Sequence, residues 1–136
     1  MIQPWASLFV LGESQYETRS WRTKYRGPLA IHTSKKVDKG VCSHVAIKSL
    51  LLKHGYKTED LPTGVIIAVC QLENCLRVME NNETWAVLED GRTVSGNDFF
   101  LGDYKVGGYV WEVRGMKMLD RFIPAKGRLG LWEYEV

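Results

Sequence analysis

The segment YETRSWRTKYRG, Tyr16 to Gly27, sets one acid, four basic residues, Trp21 and two tyrosines side by side. From Arg19 to Lys36 the chain carries six Lys/Arg and no Asp or Glu. Cations neutralise phosphates, and aromatic faces stack on bases at about 1–3 kcal/mol each. Arg19, Arg22, Lys24, Arg26, Lys35 and Lys36, interleaved with Trp21 and Tyr25, therefore fit the binding of a single strand or a flipped nucleotide. Glu17 and Arg19 lie two apart, so an extended backbone projects both to one side. Such a pair can hold a guanidinium fork toward a phosphate or a base edge, or it can pin the loop as an internal ion pair. If Trp21 packs inward and the cations are solvated, the segment is only a polar loop.

Other reactive types are sparse. Among His32, His44 and His54, His32 is best placed for general acid–base work, because it follows the basic segment on the face opposite Leu29 and Ile31. Cys42, His44, Cys70 and Cys75 are residue types that zinc favours, but their spacing is poor. On one extended strand, Cys70 and Cys75 point to opposite faces. No metal site is expected. The chain has no P-loop, nucleophile elbow, paired-histidine zinc helix or dinucleotide fingerprint, so no cofactor is expected either.

The elements that must position these residues fit one domain over residues 1–136, long enough to bury a core without staples. The longest apolar runs, such as GVIIAVC, are far too short to span a bilayer, and the start of the chain lacks a signal-peptide pattern. Three cysteines argue for a reducing compartment, and a cytoplasmic location is expected. In that compartment the sequon at Asn82 is irrelevant. Net charge is only +2, but its distribution is uneven: residues 73–103 hold seven acids against Arg77 and Arg92. Such polarity steers an anionic partner to one side.

PWASLFVLG reads as a short helix, with Pro4 suited to the first turn and Gly12 to the C-terminal cap. RGPLAIHTS reads as a strand. VDKGVCSHVAIKSLLLKHG reads as one longer helix with Asp38 as N-cap and Gly55 as stop. VIIAVCQL is a continuous apolar run, typical of a strand covered on both faces. The stretch from Asn81 to Gly108 reads as turns around short strands. YVWEVRG places Tyr109, Trp111 and Val113 together, and LWEYEV alternates with Trp132, Tyr134 and Val136 inward. The expected class is α+β, mainly β: a small barrel with one or two helices.

The strings IQPWASLFVLG, YETRSW, TKYRGPLAIHTSKK and GVIIAVCQLENC resemble the ASCH domain, the activating-signal-cointegrator homology branch of the PUA-like superfamily. The tail GDYKVGGYVWEVRGMKML with FIPAKGRLGLW is similar to the end of small bacterial and phage ASCH proteins, so the resemblance covers nearly the whole chain. It implies a PUA-like β-barrel, with a helix beside a cleft that binds nucleic acid, mostly RNA. Carried over by motif, the cleft residues would be Gln3, Trp5, Glu17, Arg19, Trp21, Arg26, His32 and Lys35. The chain departs from the family at Ser14, where a lysine is common, and at Glu17, where the amidohydrolase branch carries a threonine. Both departures weaken an amidohydrolase reading, since no neighbouring lysine would activate a hydroxyl.

The expected function is a nucleic-acid-binding module for RNA or a modified nucleotide. Arg19, Arg26 and Lys35 would hold phosphate, Trp21 would stack, and Glu17 and Gln3 would contact a base edge. The alternative is a metal-independent ribonuclease or nucleoside-processing hydrolase using His32 and Lys35 as acid and base. A module for a small nucleobase-like ligand or a protein partner is a third possibility.

Overall fold

Val65–Asn81 is apolar at its start and alternating at its end, and it forms the 17-residue strand around which the sheet is built. In the computed structural model, which describes residues 1–126, this strand is β3. Ile66, Ile67 and Ala68 are buried in succession, but Val69 and Gln71 are exposed, so the cover on both faces expected for VIIAVCQL holds only at its start and the strand alternates from there. Before it come α1 (Trp5–Val10), β1 (Tyr16–Arg19), β2 (Gly27–His32), α2 (Lys39–Cys42) and α3 (Val45–Lys53). After it come β4 (Trp85–Leu88), β5 (Thr93–Ser95), α4 (Gly96–Phe100) and β6 (Tyr109–Pro124). The antiparallel sheet runs β1-β6-β3-β4-β5, and β2 pairs with β3 beside that path. The class is α+β and mainly β, as the sequence implies. Among the described residues the sheet stays open, so the expected closed barrel is not formed there.

Bulges bend this sheet. The β3–β6 register shifts three times, and one shift falls where Gly115 adopts φ 66°. That is a conformation glycine accepts without a Cβ penalty, and it re-aims β6 so that the strand continues well beyond YVWEVRG to Pro124. A second bulge, between Leu72 and Asn74, leaves Glu73 and Asn74 exposed in succession. The face therefore changes, and buried Leu72 and Cys75 lie three apart. Strict alternation between Cys70 and Cys75, expected from their odd spacing, does not survive that extra residue. All three cysteines are buried and free.

The predicted first helix forms, with Pro4 as its N-cap and Gly12 past its end at φ 85°. Six residues are too few to hold a helix alone, so burial stabilises it. Ala6, Phe9 and Val10 pack on Ile31, Ile67 and Cys70 of the sheet, while Leu8 faces Ile47, Leu51 and Leu61 on the other side. At about 1.5–3 kcal/mol for each large side chain, this double burial outweighs weak helix nucleation. The predicted longer helix is broken in two. Asp38 caps α2 as expected, accepting from the Val41 N–H, but His44 turns extended and its Nδ1 accepts from the Ala46 N–H to start α3. Only Ile47 and Leu51 of α3 are buried, so the spread of apolar residues over 37–55 reflects two helix axes. Trp132, Tyr134 and Val136, expected to face inward, lie outside the described residues.

Candidate functional site

Beside α1 lies a cleft of about 590 Å³, with Trp5, Leu8 and Phe9 of α1 on one side and Tyr16 to Arg19 of β1 on another. Met1, Ile2 and Ser34 add to its lining, and Leu101–Asp103, just after α4, completes it. The loop is fixed to β1 by a hydrogen bond from the Asp103 N–H to Thr18 Oγ1 (2.9 Å). Gly102 makes this approach possible. A Cβ there would come within 2.5 Å of Tyr104 Cε2 and 3.1 Å of Thr18 Cγ2.

Within this largely apolar lining sits one tight charge pair. Arg19 Nη2 is 2.6 Å from Glu17 Oε1, with the Glu17 side chain 8% exposed and the Arg19 side chain 34% exposed. Burial pushes the Glu17 carboxyl above the usual glutamate value, against the opposing pull of Arg19 and the Met1 amino group. The Arg19 guanidinium also lies over the Trp111 ring, 5.3 Å from its centroid. An ion pair and a cation–π contact thus hold the planar fork while part of it stays open to solvent. The arrangement offers a donor fork and an acidic acceptor to a flat ligand whose faces are apolar.

Of the eight residues singled out in the sequence, Trp5, Glu17 and Arg19 line this cleft. Gln3 is fully buried beneath α1. Its Nε2 donates to Ser7 Oγ and Pro62 O, each at 2.8 Å, and its Oε1 accepts from the Ser7 N–H at 3.0 Å. Both N–H groups of the amide are taken up by the fold, and Gln3 ties the start of α1 to Pro62. Trp21 stands edge-on to Trp111, with centroids 4.9 Å apart and planes at 83°, and supports the ring on which Arg19 lies. Arg26 donates to the carbonyls of Thr23 and Tyr25 and holds its own turn. His32 Nε2 is 2.6 Å from Ala125 O. Lys35 is exposed and follows Ser34 at the rim, with its stem over Gly64. Neither His32 nor Lys35 lines the cleft, so the acid–base pair named for a hydrolase is not brought together in it.

Residues 1–117 match the family described as the ASCH domain. The chain belongs to this family. As an ASCH domain it falls in a group associated with RNA binding. It is 40% identical over 78 residues to human activating signal cointegrator 1, covering 54% of this chain and 13% of that protein. The mouse protein of the same name is 39% identical over 80 residues, covering 56% of this chain and 14% of that protein. This ASCH domain therefore spans about a seventh of the length of the curated relatives it matches.

Seen on the fold, the ASCH motifs sort by task. QPWAS supplies the buried brace Gln3–Ser7 and the wall residue Trp5, while ETRSW supplies the charge pair and the ring that backs it. Ser14, at the position where a lysine is common, is buried, and its hydroxyl donates to Tyr16 O at 2.8 Å. Sequence reasoning missed Met1, Ser34 and Leu101–Asp103 as lining residues. The last three lie more than eighty positions from β1, and although Gly102 and Asp103 open the family-like tail GDYKVGGYVWEVRGMKML, nothing in that string ties them to β1. No group of three or more His, Cys, Asp or Glu suited to a metal is found among the described residues. No helix among them is long and apolar enough to cross a membrane.

Proposed function

We propose that this ASCH domain binds RNA, or a nucleotide of it, by inserting a base into the cleft beside α1. The observation that carries this reading is the Glu17–Arg19 pair, held at 2.6 Å within an apolar lining and backed by Trp111. A nucleobase is flat and apolar on its faces, with donors and acceptors on its edge. Trp5 and Phe9 would meet its faces, the Arg19 fork would donate to a ring carbonyl or a phosphate, and the Glu17 carboxyl would meet an amino or imino hydrogen. Lys35 and Lys36, exposed on the loop after Ser34, would meet the backbone phosphates. Gln3, Trp21, Arg26 and His32 act one step back, by holding α1, Trp111, the turn before β2 and the end of β6. Three buried thiols fit a reducing compartment, and we place the protein in the cytoplasm on the same reading.

The test is the affinity of the protein for single-stranded RNA at low salt. Arg19→Ala should weaken binding about tenfold or more, a loss of roughly 1.4 kcal/mol, whereas Arg26→Ala should leave it nearly unchanged. Undetectable binding, or binding indifferent to Arg19, would sink the proposal.

A further inference from the structure

The basic character does not end with the segment that borders the cleft. From Arg19 to Lys57 there are ten Lys/Arg and a single acid, Asp38. Asp38 is committed to capping α2 through the Val41 N–H. Lys35, Lys36, Lys39, Lys48 and Lys57 are all exposed, and none forms an ion pair among the described residues. Only Lys53 of α3 is taken up, by Glu13 at 3.1 Å.

The fold links these lysines to the cleft. Val37 bridges to Gln3, and the Asp38 N–H donates to Gln3 O at 2.8 Å, so α2 starts directly beside α1. Beyond it, a second depression of about 300 Å³ is lined by Lys48, Lys57, Tyr56, Leu52 and Glu59, among others. The two hollows back onto one apolar cluster, because Leu8 lines the first, Leu51 lines the second, and the two pack together. Two cations beside an aromatic ring repeat the chemistry of a stacked nucleotide.

We infer that the α2–α3 face continues the binding surface, so that the protein holds a run of single-stranded RNA, with one nucleotide in the cleft and a neighbouring stretch over Lys48, Tyr56 and Lys57. This rests on the proposed cleft reading and adds the kind of partner: a strand, not a free nucleotide.

The experiment compares a mononucleotide with a single-stranded RNA of about twelve nucleotides. Each is titrated at several salt concentrations against the wild type, Arg19→Ala, and the exposed double variant Lys48→Gln/Lys57→Gln. Each phosphate contact on a single strand contributes about −0.7 to the slope of log K against log salt. The double variant should therefore flatten the slope for the long RNA by about 1.4 and leave mononucleotide affinity unchanged. An unchanged slope for the long RNA overturns the inference while leaving the cleft intact, provided Arg19→Ala still weakens mononucleotide binding. If Arg19→Ala changes neither titration while the double variant flattens the slope, the cleft reading fails and the α2–α3 surface stands alone. If polyglutamate binds as tightly as the RNA and with the same loss in the double variant, the face is an acidic-protein surface and the assignment to RNA is overturned.

Discussion

At Glu17 two opposing influences meet, since burial disfavours the carboxylate while Arg19 and the Met1 amino group favour it. The balance leaves the carboxyl with a raised pKa, which fixes the sign of its effect on stability. Below the ordinary glutamate value the group is protonated in both folded and unfolded chains and contributes no pH dependence. As pH rises from there toward the raised folded value, the unfolded chain releases its proton first, and the folded state loses stability. Glu17→Gln cannot titrate, so the stability of this variant relative to the wild type should increase with pH across the weakly acidic range and then level off. Urea denaturation of both proteins at a series of pH values checks this, and a difference that falls with pH would contradict it. Glu17 and Arg19 were legible as a pair because a separation of two on an extended segment has a single geometric meaning. The cation–π contact that accompanies the pair was not legible, because it comes from Trp111, ninety-two positions beyond Arg19.

Among the elements, short-range signals were read well and long-range ones were not. Pro4 and Gly12 bracket α1, and Asp38 caps α2, because caps and turns are decided by neighbouring residues. The break at His44 has no local signal, since a histidine serving as N-cap resembles any helical residue in a pattern of apolar spacing. The same limit applies to the Leu72–Asn74 bulge, which no periodicity announces. The loop after α4 belongs to this scale too. Gly102 is required because Tyr104 and Thr18 leave no room for a Cβ, so Gly102→Ala should push the loop off β1. A clash of this kind costs about 1–3 kcal/mol. Guanidinium denaturation should register that loss as a lower midpoint, and RNA affinity measured where the variant is still folded should fall with it. A variant with wild-type midpoint and affinity would show that the loop does not shape the cleft.

Over the whole molecule, a net charge of +2 conceals the division between a basic stretch and an acidic one. The division is incomplete on the fold, because Arg22 is 3.3 Å from Glu89 and its guanidinium lies over Tyr109. The sequence showed which residues carry charge, but the open surface depends on which cations the fold pairs off. Arg22 is neutralised, Arg26 is spent on carbonyls, and Arg19 alone of these three reaches the cleft. On the proposed reading, a base in the cleft would lie near Trp5 and Tyr16, and away from the exposed aromatic Tyr25. Photo-crosslinking with 4-thiouridine monophosphate, followed by peptide mapping, locates the base directly. Adducts are expected on the peptides containing Trp5 or Tyr16, lost in Arg19→Ala. Adducts confined to Trp21, Tyr25 or the β4–β5 hairpin, or unaffected by that substitution, would contradict it.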